Sequence, residues 1–435
     1  MSSKRAIQIP ARWACAAVVV ISTLTGCGSH GGHETPVKAP TAQPKSASRP
    51  IHDPPASFAT RHSVPLPDDA IAGRLTVSGT LNSPLPVALY KTTAFIATAR
   101  HMQVMDTVTG TVTALIIPDN TPVESADAWA STNHAAAPLL TTSQGTPSVL
   151  APFVVTQTGT GTQASHTVVE VTATNADTGQ VMWRLTLQPP QWDTGSDLRA
   201  TAIGSAHGIA VIRISTGDDD YAAAYGIDLN RPRQAWMVDK FQASAVTDQT
   251  VAGAVLEDEV SVDQRPAGFD LTTGKRLWQG SNGTWVGADP AGPHLLRIHG
   301  KDYDSGHSYD RLVDPLTGRT LHTLPADLGD SDCTYDDRSV LVCSGMGSES
   351  RVAYGVDTSS GKVLWQLPDK QADRIAPKIT TAWHGRVYGE TDHGAIALDA
   401  RTGKDVPSPG AAPLLVNEST GIVLDSGLVA YPTSS

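Results

Sequence analysis

The sequence predicts an all-β protein folded as a single β-propeller, and three observations carry that prediction. A turn motif recurs along the chain, its later copies settle to a spacing of 42–44 residues, and the composition suits short strands joined by turns. Of 435 residues only 5% are aromatic and 17% charged, with 38 Gly and 30 Pro, which argues against coiled coils and helical bundles.

The motif reads small-x-Asp-x-x-Thr-Gly-x-x-x-Trp. Its clearest copies hold Asn175, Gly179 and Trp183; Asp270, Gly274 and Trp278; and Asp357, Gly361 and Trp365. Asp399 and Gly403 keep the turn but lead to Pro407, Asp314 and Gly318 lead to His322, and Asp106 and Gly110 lead to Ala114. A seventh copy, Asp228 with Trp236, has Arg231-Pro232 in place of Thr-Gly. Successive Asp/Asn positions lie 69, 53, 42, 44, 43 and 42 residues apart. The two long gaps predict inserted loops, chiefly around 119–165, with further loops at 190–196 and 216–221.

Each motif residue has a mechanical role. A side-chain oxygen ahead of a turn accepts bonds from the next backbone N–H groups and the Thr hydroxyl. Gly four residues later supplies the positive φ of a hairpin loop with a G1-type bulge. Trp then falls in the outward strand, where its face packs between sheets and its indole N–H meets a backbone carbonyl.

Seven copies give seven blades. Residues 412–431 repeat the strand rhythm once more without the motif, and residues 74–81 are expected to supply the missing outer strand. Sharing one blade between the two chain ends removes the open edge. The expectation is eight four-stranded blades, with seven and an extra hairpin as the alternative.

These repeats resemble the PQQ-type propeller repeat of quinoprotein alcohol dehydrogenases and of non-enzymatic propellers such as the outer-membrane assembly lipoprotein. The resemblance covers roughly residues 74–432 and implies fold, not activity. For the dehydrogenases it also implies a vicinal Cys-Cys pair beside the quinone, Ca²⁺ held by Glu, Asn and Asp, and an Asp base. No Cys-Cys dipeptide occurs here, and Trp192 and Trp285 read as packing residues rather than quinone-stacking faces. No cofactor is expected.

At the N-terminus, Lys4, Arg5 and Arg12 precede an apolar run from Ala14 to Leu24, the build of an export signal. Eleven residues of helix reach about 16 Å, half a bilayer core. The run ends in Leu24-Thr25-Gly26-Cys27, which resembles the lipobox of bacterial lipoproteins. That resemblance implies cleavage after residue 26, a diacylglyceryl group (and palmitate) on Cys27, and a protein anchored in the cell membrane on its extracytoplasmic side. Residues 27–73 carry eight prolines and read as a disordered linker, in which His30 and His33 reflect composition; residues 74–435 form the propeller.

Removing the leader leaves 29 basic against 43 acidic residues, a balance that excludes nucleic acid as a partner. Cys333 and Cys343 face each other across a turn centred on Arg338, and export favours their disulfide. The acidic stretches at Asp218–Asp220, Asp302 with Asp304, and Asp330 and Asp332 with Asp336 and Asp337 read as hairpin tips. The second starts like an EF-hand loop but has Val313 where a bidentate Glu belongs. His101, His134, His307, His322 and His393 show no metal-binding spacing, and no nucleophile elbow or Walker loop occurs. No catalytic, metal or cofactor residue is assigned. The expectation is a monomeric, non-enzymatic scaffold binding a protein or small molecule on its loops. The alternatives are a degenerate quinoprotein-like oxidoreductase and a small-molecule sensor.

Overall fold

The computed structural model describes residues 52–70, 85–123, 136–192, 198–216, 221–256, 264–281, 283, 285–302, 305–324, 332–346 and 350–434. Eight antiparallel sheets follow one another along these residues as the blades of a propeller. Blade 3 is typical, with Leu198–Ala206, Ile209–Thr216, Ala222–Asp228 and Arg233–Asp239 each paired to the next in sequence. Its second strand is apolar at nearly every position because both of its faces are covered. Ala210, Ile212 and Ile214 pack toward blade 2, whereas Ile209 and Val211 pack toward blade 4.

Blades 1 and 2 span 87–116 and 121–187, and blades 4 to 7 span 241–279, 285–323, 332–367 and 378–406. First strands of successive blades lie against one another, which makes them the innermost ring. Blade 8 consists of Leu415–Val416, Thr420–Leu424 and Leu428–Ser434, completed by Ser57–Phe58 and Val64–Pro65, which both pair antiparallel with Leu428–Ser434. Blade 8 also locks to blade 1: Asn417 Nδ2 donates to the Lys91 carbonyl at 2.9 Å, and the Thr107 and Thr420 hydroxyls meet at 2.8 Å.

Eight blades and the shared terminal blade agree with the sequence, but the closing residues differ. Residues 52–70, assigned by composition to the linker, pack on blades 7, 8 and 1. Phe58 packs among Tyr388, Val416 and Tyr431, and Leu66 and Ala70 lie in the core between blades 8 and 1. Residues 74–81 lie outside the described residues, as do the leader, Cys27, His30 and His33. The stretch 119–165 is also more than a surface insertion, because Thr121–Pro122, Leu139–Ser143 and most of Thr146–Gln157 form blade 2. Only 124–135, outside the described residues, and the loop 158–165 remain as additions.

Candidate functional site

The repeated turn is the most strongly specified local feature. Asp106 Oδ1 accepts from the Val108 and Thr109 amides at 2.9 and 2.7 Å and from the Thr109 hydroxyl at 3.1 Å. Asn175, Asp228, Asp270, Asp314 and Asp399 accept from the corresponding amides of their own turns. Gly110, Gly179, Gly274, Gly318, Gly361 and Gly403 all take φ between 63° and 74°, and each amide donates back to the Asp or Asn carbonyl at 2.7–2.9 Å. Asp302 forms the same kind of turn with Ser305 and Gly306.

The tryptophans join one blade to the next. Trp236, Trp278 and Trp365 donate at 2.7–2.8 Å to the carbonyls of Leu271, Pro315 and Ala400, each the residue after the turn Asp of the following blade. Each indole is sandwiched between two glycines. A Cβ on Gly226, Gly268 or Gly355, directly opposite the Trp in its own blade, would come within 2.1–2.3 Å of the ring. A Cβ on the next blade's Gly274, Gly318 or Gly403 would come within 2.5–2.9 Å. The ladder shifts register at Gly226, Gly268 and Gly355, the bulge that the turn geometry requires. Where the motif drifts, other side chains occupy the slot: His322 against Gly361, Ala114 against Gly179 and Val64 against Gly110. At the blade 2–3 contact Pro232 replaces glycine, and Trp183 reaches the Leu229 carbonyl through the Ser143 hydroxyl, at 2.9 and 2.8 Å.

Asp357 is the most heavily bonded of the turn carboxylates. The Ser359 and Ser360 hydroxyls, the Ser360 amide and Arg401 of blade 7 hold its carboxyl well below the usual carboxylate range, outweighing burial. A depressed carboxyl stabilises the fold above its unfolded-state pKa and loses that contribution as pH falls. Asp357→Asn is therefore expected to cost about 1–2 kcal/mol at pH 7 and to flatten the stability profile below about pH 4, checked by denaturant titration across pH.

Cys333 and Cys343 sit directly opposite each other in blade 6 and are joined as a disulfide. Replacing both by serine is expected to cost about 2–3 kcal/mol, read from the urea midpoint, because the bridge constrains the unfolded chain.

Three polar clusters carry no sequence motif. In blade 5, Arg297 and Asp310 are both 1% exposed, and the guanidinium grips the carboxylate with Nε at 3.0 Å and a second nitrogen at 2.7 Å. The same guanidinium donates to Asp289 at 3.1 Å, and His299 Nε2 lies 3.1 Å from that Asp289 oxygen. Burial pushes the Asp289 carboxyl up, but His299 and Arg297 overcome it and hold the group below its ordinary range. In blade 2, buried Glu170 accepts from the Asp119 and Asn120 amides at 2.8 and 3.3 Å, while Arg184 bonds the Ile117 carbonyl at 2.9 Å. At the N-terminal segment, Asp53 pairs with His384 of blade 7 and lies 3.7 Å from Arg338 of blade 6; Arg386 and Tyr388 both donate to the Pro55 carbonyl at 2.8 Å. The signal for the first two was present in sequence: a lone charge inside an apolar strand, as in Leu296-Arg297-Ile298 and Val169-Glu170-Val171.

The remaining sequence candidates do not converge. Trp192 packs near Tyr221 with ring centroids 6.0 Å apart, and Trp285 meets His299 edge-on at 5.4 Å. His101 bonds Gln103, and His322 fills a tryptophan slot. His134, Asp218–Asp220, Asp304 and Asp330 lie outside the described residues, among which no three His, Cys, Asp or Glu groups are placed to share a metal. A cleft of about 110 Å³ between blades 4 and 5, lined by Trp278, Gln279, Tyr309 and Arg311, is well short of the ~300–1,000 Å³ of cofactor pockets. The vicinal thiols and carboxylate set of a quinone site are not offered by these residues.

The family model described as outer membrane protein assembly factor BamB matches residues 168–296. No curated protein sequence matches the chain. Similar solved structures include a quinohemoprotein alcohol dehydrogenase from Pseudomonas putida HK5, at 10% identity over 85% of this chain and 75% of that one, TM-score 0.44. Another is the β-propeller domain of the Trilobed protease from Pyrococcus furiosus, at 11% identity over 68% and 89%, TM-score 0.38. The family match runs from the third strand of blade 2 into the second strand of blade 5.

Proposed function

We propose that this protein is a lipid-anchored, extracytoplasmic propeller that serves as a non-enzymatic scaffold, binding a protein or small molecule on its loops. The supporting observation is where the perturbed charges are spent. The carboxylates held low, Asp177, Asp289 and Asp357, are engaged by Lys91, by Arg297 and His299, and by their own turn and Arg401. Lys91 and Arg401 reach these carboxylates from neighbouring blades and Arg297 and His299 reach Asp289 within blade 5, so the three groups serve the fold rather than wait for a substrate. Loops carried on such a scaffold vary without cost to the ring.

Two experiments test the reading. Crosslinking in intact cells from probes placed in 158–165 is expected to give a discrete adduct that is lost when 124–135 is deleted; an undiminished adduct overturns the assignment to the inserted segment. Cys27→Ser is expected to release the protein from the membrane fraction, and retention overturns the anchor. A thermal shift with pyrroloquinoline quinone and Ca²⁺ would favour an oxidoreductase instead.

A further inference from the structure

Blade 1 differs from its neighbours at its outermost strand. Val112–Ile116 pairs with Met102–Asp106, and among the described residues nothing pairs with its other edge. Residues 107–118 include no charge. Val108, Val112, Leu115 and Ile117 are 49, 47, 51 and 52% exposed, so four large apolar side chains gather on this strand and its turns.

Exposed edges are ordinarily blunted by charge, proline or shortness. Arg184, Arg233, Arg276 and Asp405 lie within the outer strands of blades 2, 3, 4 and 7, and Arg319 and Lys362 directly precede those of blades 5 and 6. Blade 8 ends in two-residue pieces, one containing Pro65. Blade 1 has none of these devices within its outer strand or directly before it; Pro118 and Asp119 come only after the strand has ended.

We propose that this edge pairs with the same edge of a second copy. The two Val112–Ile116 strands would run antiparallel about a two-fold axis and merge two blades into one sheet. The pattern is self-complementary: a two-fold at Ala114 sets Val112 opposite Ile116 and Thr113 opposite Leu115, apolar or β-branched partners throughout. Charge selects the same place. The chain has a formal charge of −11, so two copies repel over most of their surface, but this edge brings no like charges together. A pair of strands this short buries less than the ~1,200–2,000 Å² of stable specific interfaces, so the dimer forms and dissociates with concentration.

Sedimentation velocity on the purified full chain, from about 1 to about 200 µM, tests this. The expected result is a concentration-dependent shift from monomer to dimer. Leu115→Lys and, separately, Ile117→Lys are expected to raise the dissociation constant at least about tenfold with unchanged melting temperature. Leu277→Lys, at an exposed position on the outer strand of blade 4, is expected to leave it unchanged. A monomer at every concentration overturns the proposal, including one that takes up an extended peptide from another protein at this edge. A dimer indifferent to both blade 1 variants also overturns it. Neither outcome touches the scaffold reading, which rests on other residues.

Discussion

Trp236→Ala is expected to lower the stability of the propeller by about 3–5 kcal/mol, a fall of about 4–6 °C in melting temperature for a ring of this size unfolding as one unit. Trp236 is 8% exposed and fills the space between blades 3 and 4, with Gly226 on one side and Gly274 on the other. Its removal leaves a cavity that backbone on both sides prevents from collapsing. The Leu271 carbonyl also loses its 2.8 Å donor. A cycle with Gly274→Ala separates packing from backbone strain. In the intact protein the added methyl meets the indole at 2.9 Å on a residue at φ 67°; without the indole only the strain remains, about 1–2 kcal/mol. The two substitutions are thus expected to cost clearly less together than the sum of their separate effects, and strict additivity would contradict the sandwich.

The same contact explains how much of the molecule was legible in sequence. Trp236, Trp278 and Trp365 and the glycines around them could be read because one steric requirement repeats at a fixed interval. The residue two before Asp228, Asp270 and Asp357 is glycine because the indole lies on it. The cross-strand disulfide was legible because a hairpin sets Cys333 against Cys343. The closing segment was not. Between 52 and 70 prolines and polar residues dominate, and the apolar residues that dock, Phe58, Val64 and Leu66, show no period because the pieces of strand are two residues long. Val64 fills a tryptophan slot without resembling one. The inner edge of blade 2 was obscured for a different reason. Thr121–Pro122 and Leu139–Ser143 pair with separate parts of one long strand, and the chain between them breaks the rhythm.

Arg297→Met is expected to be as damaging as loss of a docking tryptophan, about 3–5 kcal/mol, by a different mechanism. Asp310 is 1% exposed and its carboxylate faces the Arg297 guanidinium through Nε and a second nitrogen. Methionine keeps most of the side-chain volume but leaves a carboxylate in the fold with neither water nor a counter-ion. The cost is that of the stranded charge rather than of the lost attraction, and this distinction can be measured. Arg297→Met with Asp310→Leu removes both charges from the interior and is expected to recover most of the loss. Asp289→Asn tests the outer member of the cluster. That side chain is 38% exposed and shares Arg297 with Asp310, so its loss is expected to cost no more than about 1 kcal/mol. Urea denaturation of the four proteins therefore has a required order: Asp289→Asn near wild type, the double variant next, and Arg297→Met alone far below. If the double variant falls as far as Arg297→Met, the guanidinium contributes through its packing inside blade 5, and the stranded Asp310 charge is not the source of the loss.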